Sequence, residues 1–522
     1  MEAILPNLME QEAYWTTNFA VTDEDLEYLF NLFLETETPL SLRDLTLRLI
    51  TYRLGATERF IKKQLARGVI FQPKNDYEVG QTVVFPTRDY QVGEVIGKRD
   101  GQNEEYGPFQ VIKVRFENGK VAEFASSLLA PHALNTEDAE AETLSSIDPE
   151  DVLRRYGRSI AVKLRDRFEQ EEDVVYIGGR WFLRSLLLEV NIAHLHLAEA
   201  VLDMHDGGPL TTEQILQEIG MEEKVNHRLQ IFSMDLAMQQ DERFDEVGPA
   251  GQVLWFLRRM EPESVQKIPE QLRYTPIPHD PKLLTSEMRE LILEIDDELS
   301  PIDFEEIDES EATITLTYPY RRTGTLPLNS SLQHLFPTAF ETNLVITTLV
   351  DAESGEERTG WVVREQGYVY GLGELYKKYM VPIGGYVTIR RHEDLSKLIV
   401  DFSTRRARTE FIRLAVPDGD RLRFENHKRS IGTEYDDLMI FGIEDLAGLD
   451  EVGRKNRSTP FPTLLKKLMS ELVRHSPQSA VHIKTLYSAV NLLKRCPPEP
   501  IMTTLASSPE FEYVGGGYWR MA

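Results

Sequence analysis

Hydrophobic residues recur at helical spacing in several stretches of the chain. The clearest stretch begins at Asn191, and its apolar face consists of Leu195, Ala198, Val201 and Leu202. The glycines and proline at 207–209 end this helix, and Thr211 or Thr212 is a typical N-cap for a second one. A third helix is predicted from about Asn226. The segment therefore contains three short helices in a row.

A short alternating pattern with a glycine turn occurs three times, at 171–184, 241–258 and 508–520. Each copy predicts a strand, a turn and a second strand, which together form a β-hairpin. Trp181, Trp255 and Trp519 lie in these copies. We expect all three tryptophans to be buried, because a tryptophan can cover the small core of a hairpin module.

Helices followed by such a hairpin have the order of a winged helix. The segment containing "GGPLTTEQILQEIG", "MDLAMQQDERFDEVG" and Trp255 resembles the HARE-type helix-turn-helix module, also found in the delta subunit of bacterial RNA polymerase. The resemblance covers about 70 residues. It implies a winged helix in a bacterial-type protein that works on DNA or on the transcription machinery.

Both ends of the chain predict further winged helices. Residues 460–522 contain one apolar helix, two shorter helices and the Trp519 hairpin. Residues 21–73 predict helices near 23–35, 41–52 and 56–67, followed by a strand at 69–71.

Two regions change from helical spacing to the alternation of strands. In 77–130, "VGQTVVFP" and "GEVIGKR" resemble SH3-like and KOW-type modules of transcription and translation factors. Residues 312–443 contain many short strands and predict a larger, barrel-like domain. Basic pairs there, such as Arg321-Arg322 and Lys428-Arg429, are typical of solvated strand edges.

The sequence therefore predicts an α+β, multidomain protein in which winged helix-turn-helix modules are interleaved with an SH3-like barrel and a larger β-barrel-like domain. The predicted boundaries are 1–75 for a winged helix, 76–132 for the SH3-like barrel, 133–190 for an acidic linker with a helix-plus-wing segment, 191–275 for the HARE-type winged helix, 276–311 for a helix and acidic linker, 312–452 for the β-rich domain and 453–522 for the C-terminal winged helix.

Composition agrees with several globular domains, since the chain has 522 residues, of which 41% are hydrophobic and 28% charged. The single cysteine, Cys496, excludes an intramolecular disulfide and a multi-cysteine metal site, and it fits a reducing cytosol. No signal-peptide pattern and no long apolar run is present. We expect a cytoplasmic or nucleoid-associated protein without membrane contact.

The net charge of −28 argues against a protein that coats nucleic acid indiscriminately. However, the charge is unevenly distributed. Residues 294–311 contain ten acids and no base, 137–151 is also acidic, and we expect both stretches to be solvated linkers. By contrast, 453–522 contains ten Lys or Arg and four Glu, so this module is basic.

Candidate DNA contacts are basic residues on predicted helices of the first and last modules. The predicted helices of the first module form one basic stripe, which also includes Arg53 and Arg67. The candidates are Arg43, Arg48, Arg59, Lys62 and Lys63 in the first module and Lys466, Lys467, Lys484, Lys494 and Arg495 in the last.

The chain has no HExxH, P-loop or serine-elbow motif. His194 and His196 are two residues apart, so on a helix they point to different sides and do not form a metal pair. We therefore predict no catalytic residue, no cofactor and no metal.

Three functions remain open. The leading hypothesis is a non-catalytic DNA-binding or transcription-associated protein whose winged helices contact double-stranded DNA. The alternative is a protein-interaction scaffold that docks on RNA polymerase or on another transcription or chromosome complex, and the net charge of −28 favours it. The third is a restriction or defence effector whose catalytic residues match none of these motifs.

Overall fold

The computed structural model describes residues 12–135, 147–220, 226–300, 309–339, 342–394, 396–476 and 479–522. The chain is a multidomain α+β protein with 39% of its residues in helices and 27% in strands. It divides into two compact units, the first consisting of Met1–Glu189 with Glu222–Ser233 and the second of Val190–Met221 with Met234–Ala522. No helix in the described ranges is long and apolar enough to cross a lipid bilayer.

The elements are numbered in chain order. The helices are α1 Glu12–Thr16, α2 Asp23–Thr36, α3 Leu42–Leu65, α4 Pro149–Phe168, α5 Ile192–Met204, α6 Thr212–Ile219, α7 His227–Gln239, α8 Glu263–Gln266, α9 Ser286–Ile295, α10 Tyr318–Thr323, α11 Gly373–Lys378, α12 Leu446–Asn456, α13 Phe461–Val473, α14 Ile483–Leu493 and α15 Pro498–Ser507. The strands are β1 Leu40–Ser41, β2 Val69–Ile70, β3 Thr82–Phe85, β4 Gln91–Asp100, β5 Gln110–Phe116, β6 Val121–Ser126, β7 Val174–Ile177, β8 Arg180–Leu183, β9 Phe244–Glu246, β10 Trp255–Leu257, β11 Glu311–Thr315, β12 Thr325–Pro327, β13 Leu344–Asp351, β14 Glu357–Val363, β15 Tyr368–Tyr370, β16 Tyr386–Arg391, β17 Lys397–Asp401, β18 Thr404–Asp418, β19 Arg421–Thr433, β20 Phe441–Ile443, β21 Ala480–His482, β22 Phe511–Gly515 and β23 Tyr518–Met521.

In the first unit, α2, α3 and α4 form one module with a three-stranded sheet. The sheet order is β1-β8-β7, and Leu40 of β1 pairs with Trp181 of β8. The ring of Phe33 on α2 packs against Phe168 of α4 and Phe182 of β8, with centroids 6.5 and 5.6 Å apart. The boundaries predicted from sequence separate 1–75 from 133–190, whereas this strand pairing joins them.

α3 is one helix of 24 residues, not the two helices predicted near 41–52 and 56–67. Gly55 lies at the predicted break, but a glycine in a helix interior costs only about 1 kcal/mol relative to alanine. Leu49 and Ile50 before the glycine and Ile61 after it are all buried. The continuous apolar face therefore outweighs the cost of the glycine.

A five-stranded sheet is inserted between α3 and α4, with the order β2-β3-β4-β5-β6. β2 is parallel to β3, and the remaining neighbours are antiparallel. Phe71, Phe85 and Phe124 pack together in its core with ring centroids 4.5–5.3 Å apart. The strand predicted to end the first module, at 69–71, thus belongs to this inserted sheet.

Two further sets of elements follow in the same order. In the middle set, α5, α6 and α7 precede β9 and β10, Leu210 bridges to Trp255, and the two units divide α7 after Ser233. In the C-terminal set, β21 follows α13, α14 and α15 come next, and the sheet order is β21-β23-β22. Of the two predicted N-cap candidates for α6, Thr211 caps the helix, since its hydroxyl oxygen accepts a hydrogen bond from the backbone N–H of Gln214.

The three hairpin tryptophans are buried, with exposed fractions of 5% for Trp181, 1% for Trp255 and 3% for Trp519. Two of them pair with a tyrosine on the neighbouring strand, Trp181 with Tyr176 and Trp519 with Tyr513. The ring centroids of these pairs are 4.6 and 5.0 Å apart.

The remaining part of the second unit is built on two sheets, where the sequence predicts one barrel-like domain. A seven-stranded half-barrel sheet has the order β11-β16-β17-β13-β14-β15-β12. β18 and β19 form a long hairpin, and β20 is parallel to β18.

The acidic segment after α9 is not a solvated linker where it is described. Asp297 accepts hydrogen bonds at 2.6 and 2.8 Å from Arg495 and at 2.5 Å from Tyr487. Glu298 also accepts from Arg495, and the side chains of Arg495, Asp297 and Glu298 are 1%, 0% and 8% exposed. The prediction that 294–311 is a solvated linker is therefore corrected for the part that contains Asp297 and Glu298. Residues 301–308 lie outside the described residues, as do residues 136–146 of the other acidic stretch.

Candidate nucleic-acid interface

One face of α3 presents basic side chains to solvent. At 3.6 residues per turn, Arg48, Arg59, Lys62 and Lys63 fall within an arc of about 100° on the side opposite the buried residues. Lys62 pairs with Glu58 at 2.6 Å, one turn earlier. The other three form no ion pair with the described residues, so their charges are available to a partner.

Two other basic residues of α3 differ from this group. Arg43 is 76% exposed in the first turn, where one Nη atom lies 3.9 Å from the Glu150 carboxylate of α4. Arg53 is buried and pairs with Asp25, and it donates to the Tyr14 hydroxyl at 2.8 Å. Burial lowers the pKa of Arg53, but the hydrogen bond and charge of Asp25 more than offset this, so the pKa is raised. Arg53 is therefore a structural residue, and the prediction that it belongs to the basic stripe facing DNA is corrected.

α4 carries an exposed arginine ridge, in a part of the chain for which the sequence predicts an acidic linker with a helix-plus-wing segment. Arg154, Arg155 and Arg158 are exposed, on the face opposite Ile160 and Leu164. Arg154 pairs with Asp151 of the same helix, whereas Arg155 and Arg158 form no ion pair with the described residues. The signal that could have located the ridge is "LRRYGR", set in an amphipathic pattern directly before the first hairpin copy.

Together α3 and α4 contain twelve Lys or Arg and five Asp or Glu, a formal net charge of +7. The contact between Arg43 and Glu150 places the first turns of the two helices beside each other. α2 of the same module contains five acids and no base. These two helices are thus locally positive although the whole chain has a net charge of −28.

The predicted contacts of the last module are mostly engaged in ion pairs. Lys466 pairs with Glu510, and Lys467 lies 2.8 Å from Asp420. Lys494, at the end of α14, is partly exposed.

Lys484 and Arg495 are too buried to reach a phosphate. The Lys484 side chain is 12% exposed and lies 2.5 Å from Glu294 and 3.1 Å from Asp436. Burial lowers its pKa, but both carboxylates outweigh that effect, so the pKa is raised and the ammonium stays charged. Arg495 is held by Asp297 and Glu298. The prediction that Lys484 and Arg495 contact DNA is therefore corrected.

The corresponding third helices of the three sets differ in exposure. α15 is buried from Pro498 to Thr503 and contains no Lys or Arg. Most of α7 from Leu229 to Met238 is also buried. Within the described part of the chain, only α4 among these third helices presents a row of arginines to solvent.

Comparisons of the chain with protein-family models, curated proteins and solved structures gave no match.

Proposed function

We propose that this protein binds double-stranded DNA through its first module, with α4 entering the major groove and the β7–β8 hairpin acting as the wing. The order α2, β1, α3, α4, β7, β8 supports a winged-helix interpretation, in which the third helix reads the groove. The observation that carries the proposal is the exposed ridge of Arg154, Arg155 and Arg158 on that third helix.

In this proposal the face of α3 adds attraction to the phosphate backbone. Arg48, Arg59 and Lys63 are exposed and form no ion pair with the described residues, so each can replace a counterion on DNA. Such contacts fix orientation but carry no base information. The chemistry proposed for this interface is binding, without catalysis.

The test is duplex-DNA binding by the full chain, measured by fluorescence anisotropy at several salt concentrations. Each lost phosphate contact flattens the slope of log K against log salt by roughly 0.9. Replacing Arg154, Arg155 and Arg158 with glutamine should therefore weaken binding and flatten the slope by about 2 to 3 units if all three contact phosphate.

A matched control removes the same number of charges from the last module. In Lys466→Gln/Lys467→Gln/Lys494→Gln the affinity and slope are expected to remain those of the unsubstituted protein. If this control weakens binding as much as the α4 variant, the interface is misplaced. If the unsubstituted protein does not bind duplex DNA at low salt, the proposal is wrong.

The second candidate is a docking scaffold, favoured by the burial of α7 and α15 and by the net charge of −28. The inserted sheet β2–β6, with its phenylalanine core, supports the SH3-like interpretation of 76–132 and adds a further module to such a scaffold. This function predicts no duplex binding at low salt, together with co-purification of RNA polymerase or another transcription or chromosome protein. Duplex binding that depends on the α4 arginines would decide against it.

A further inference from the structure

A cavity of about 790 Å³ lies in the second unit, where α10, α11 and the loop after α11 face the β18–β20 sheet. Its volume is within the range of sites that enclose small organic ligands, roughly 300–1,000 Å³. Part of the wall is apolar, formed by Ile383, Ile412, Ile431 and Phe441. The cavity can therefore take an apolar body.

The charged side chains on the wall are mainly cationic. Four cations and one carboxylate, that of Glu374, line the cavity; the cations are Arg321, Arg322, Lys377 and Arg429. Lys377 pairs with Glu374 at 2.7 Å, Arg322 lies 3.6 Å from Asp450, and Arg429 pairs with Glu444. Three of the four cations thus already have an anionic partner.

Arg321 has none. It is half-buried on α10, its Nε donates to the Val381 carbonyl at 2.6 Å, and its guanidinium carbon lies 6.0 Å from the centre of the Tyr376 ring. Neither Nη atom has a hydrogen-bond or ion-pair partner among the described residues. Burial lowers the pKa of Arg321, because no carboxylate offsets the desolvation of the charged group. The sequence predicts a solvated strand edge for the Arg321-Arg322 pair. The burial of Arg321 corrects that prediction.

We propose that this cavity binds a small organic anion, with an apolar body against the isoleucines and a carboxylate, sulfonate or phosphate group on the Arg321 guanidinium. The anion would supply the missing partner of a half-buried cation. A charge-assisted hydrogen bond in such a site contributes enough to change affinity by about tenfold or more.

The probe is 8-anilinonaphthalene-1-sulfonate, titrated into the full-length protein and followed by fluorescence, with uncharged N-phenyl-1-naphthylamine as its neutral counterpart. We expect saturable binding of both. Arg321→Gln should weaken the sulfonate probe about tenfold or more and leave the neutral probe within about twofold. Lys455→Gln removes a charge outside the cavity, where Lys455 pairs with Glu451, and should change neither affinity.

Two further variants keep the test decisive if Arg321→Gln does not fold. Arg321→Lys retains the charge and should keep sulfonate binding stronger than Leu446→Trp, which enlarges a partly exposed side chain on the cavity wall and should weaken both probes. The proposal is overturned if Leu446→Trp leaves both affinities unchanged. It is also overturned if folded Arg321→Gln weakens the two probes equally or not at all.

Discussion

Arg495→Met should open the C-terminal set of helices by removing the cation between two buried carboxylates. Arg495 donates to Asp297 at 2.6 and 2.8 Å and also to Glu298, and its side chain is 1% exposed. Removing one partner of a buried charge network costs roughly 3–5 kcal/mol, because the remaining charges stay buried without compensation. Burial already raises the pKa of Glu298 despite the nearby Arg495 charge. Without that charge the pKa rises further, so the loss should be smaller near pH 5 than near pH 8.

The assay is native-state hydrogen exchange of the α14 amides in the full chain, since a chain of several domains does not unfold in one two-state transition. At 1.36 kcal/mol per tenfold, the expected loss accelerates exchange by about 10²- to 10⁴-fold. The control is Lys466→Met, which breaks the pair with Glu510 in which both side chains are about half exposed. Such surface pairs contribute at most about 1 kcal/mol, so exchange should change less than about tenfold.

A rescue variant separates the charge effect from lost packing. Arg495→Met combined with Asp297→Asn and Glu298→Gln leaves no buried charge at this place and should recover most of the protection. If Arg495→Met changes exchange by less than tenfold, or if the triple variant exchanges as fast as the single one, the buried charges do not hold α14 in place.

Two more outcomes follow from buried charges elsewhere. Burial and the hydrogen bond and charge of Asp245 raise the pKa of Glu261 from 4.5 to about 8. The folded protein keeps this proton where the unfolded chain releases it, so stability should fall as the pH rises from about 4.5 to 8. Glu261→Gln should flatten that fall, as measured by native-state exchange of the β9 and β10 amides at several pH values, corrected for the intrinsic exchange rate. Asp25→Asn leaves Arg53 buried without its carboxylate and should cost roughly 3–5 kcal/mol in exchange of the α3 amides, whereas Lys62→Gln, at a side chain 59% exposed, should cost less than about 1 kcal/mol. An unchanged pH profile in Glu261→Gln, or equal losses in the two α3 variants, would count against these assignments.

Local patterns were enough to predict the hairpins and the middle helices. Each glycine turn lies within a few residues of its tryptophan, and Thr211 lies directly before the helix that it caps. The partners of Arg495 were not visible in this way, because Asp297 lies 198 residues earlier in the chain. Charge can be read from the sequence, but burial depends on which distant residues meet.

The predicted boundaries separate the first module into 1–75 and 133–190, and the reason is geometric. α3 has 24 residues and is about 36 Å long. α4 begins beside the first turn of α3, as the contact between Arg43 and Glu150 shows, so the chain must return along most of that length. The usual helix connection of 2–8 residues is too short for this, and the return contains the inserted sheet β2–β6. Local spacing could not indicate that β1 and β8 pair across an insertion of this size.

The three repeated sets show why an order of elements does not decide a function. In each set the hairpin tryptophan is buried because it packs in the core. A local sequence pattern is enough to identify it. A DNA-reading role depends instead on the outer face of the third helix, which carries arginines in α4 but is covered in α7 and α15. The net charge of −28 does not indicate whether the protein binds DNA either, because phosphates respond to the local potential and α3 and α4 together have a net charge of +7. The exposed arginines of α4, and neither the fold nor the total charge, are therefore the feature on which the proposed DNA binding depends.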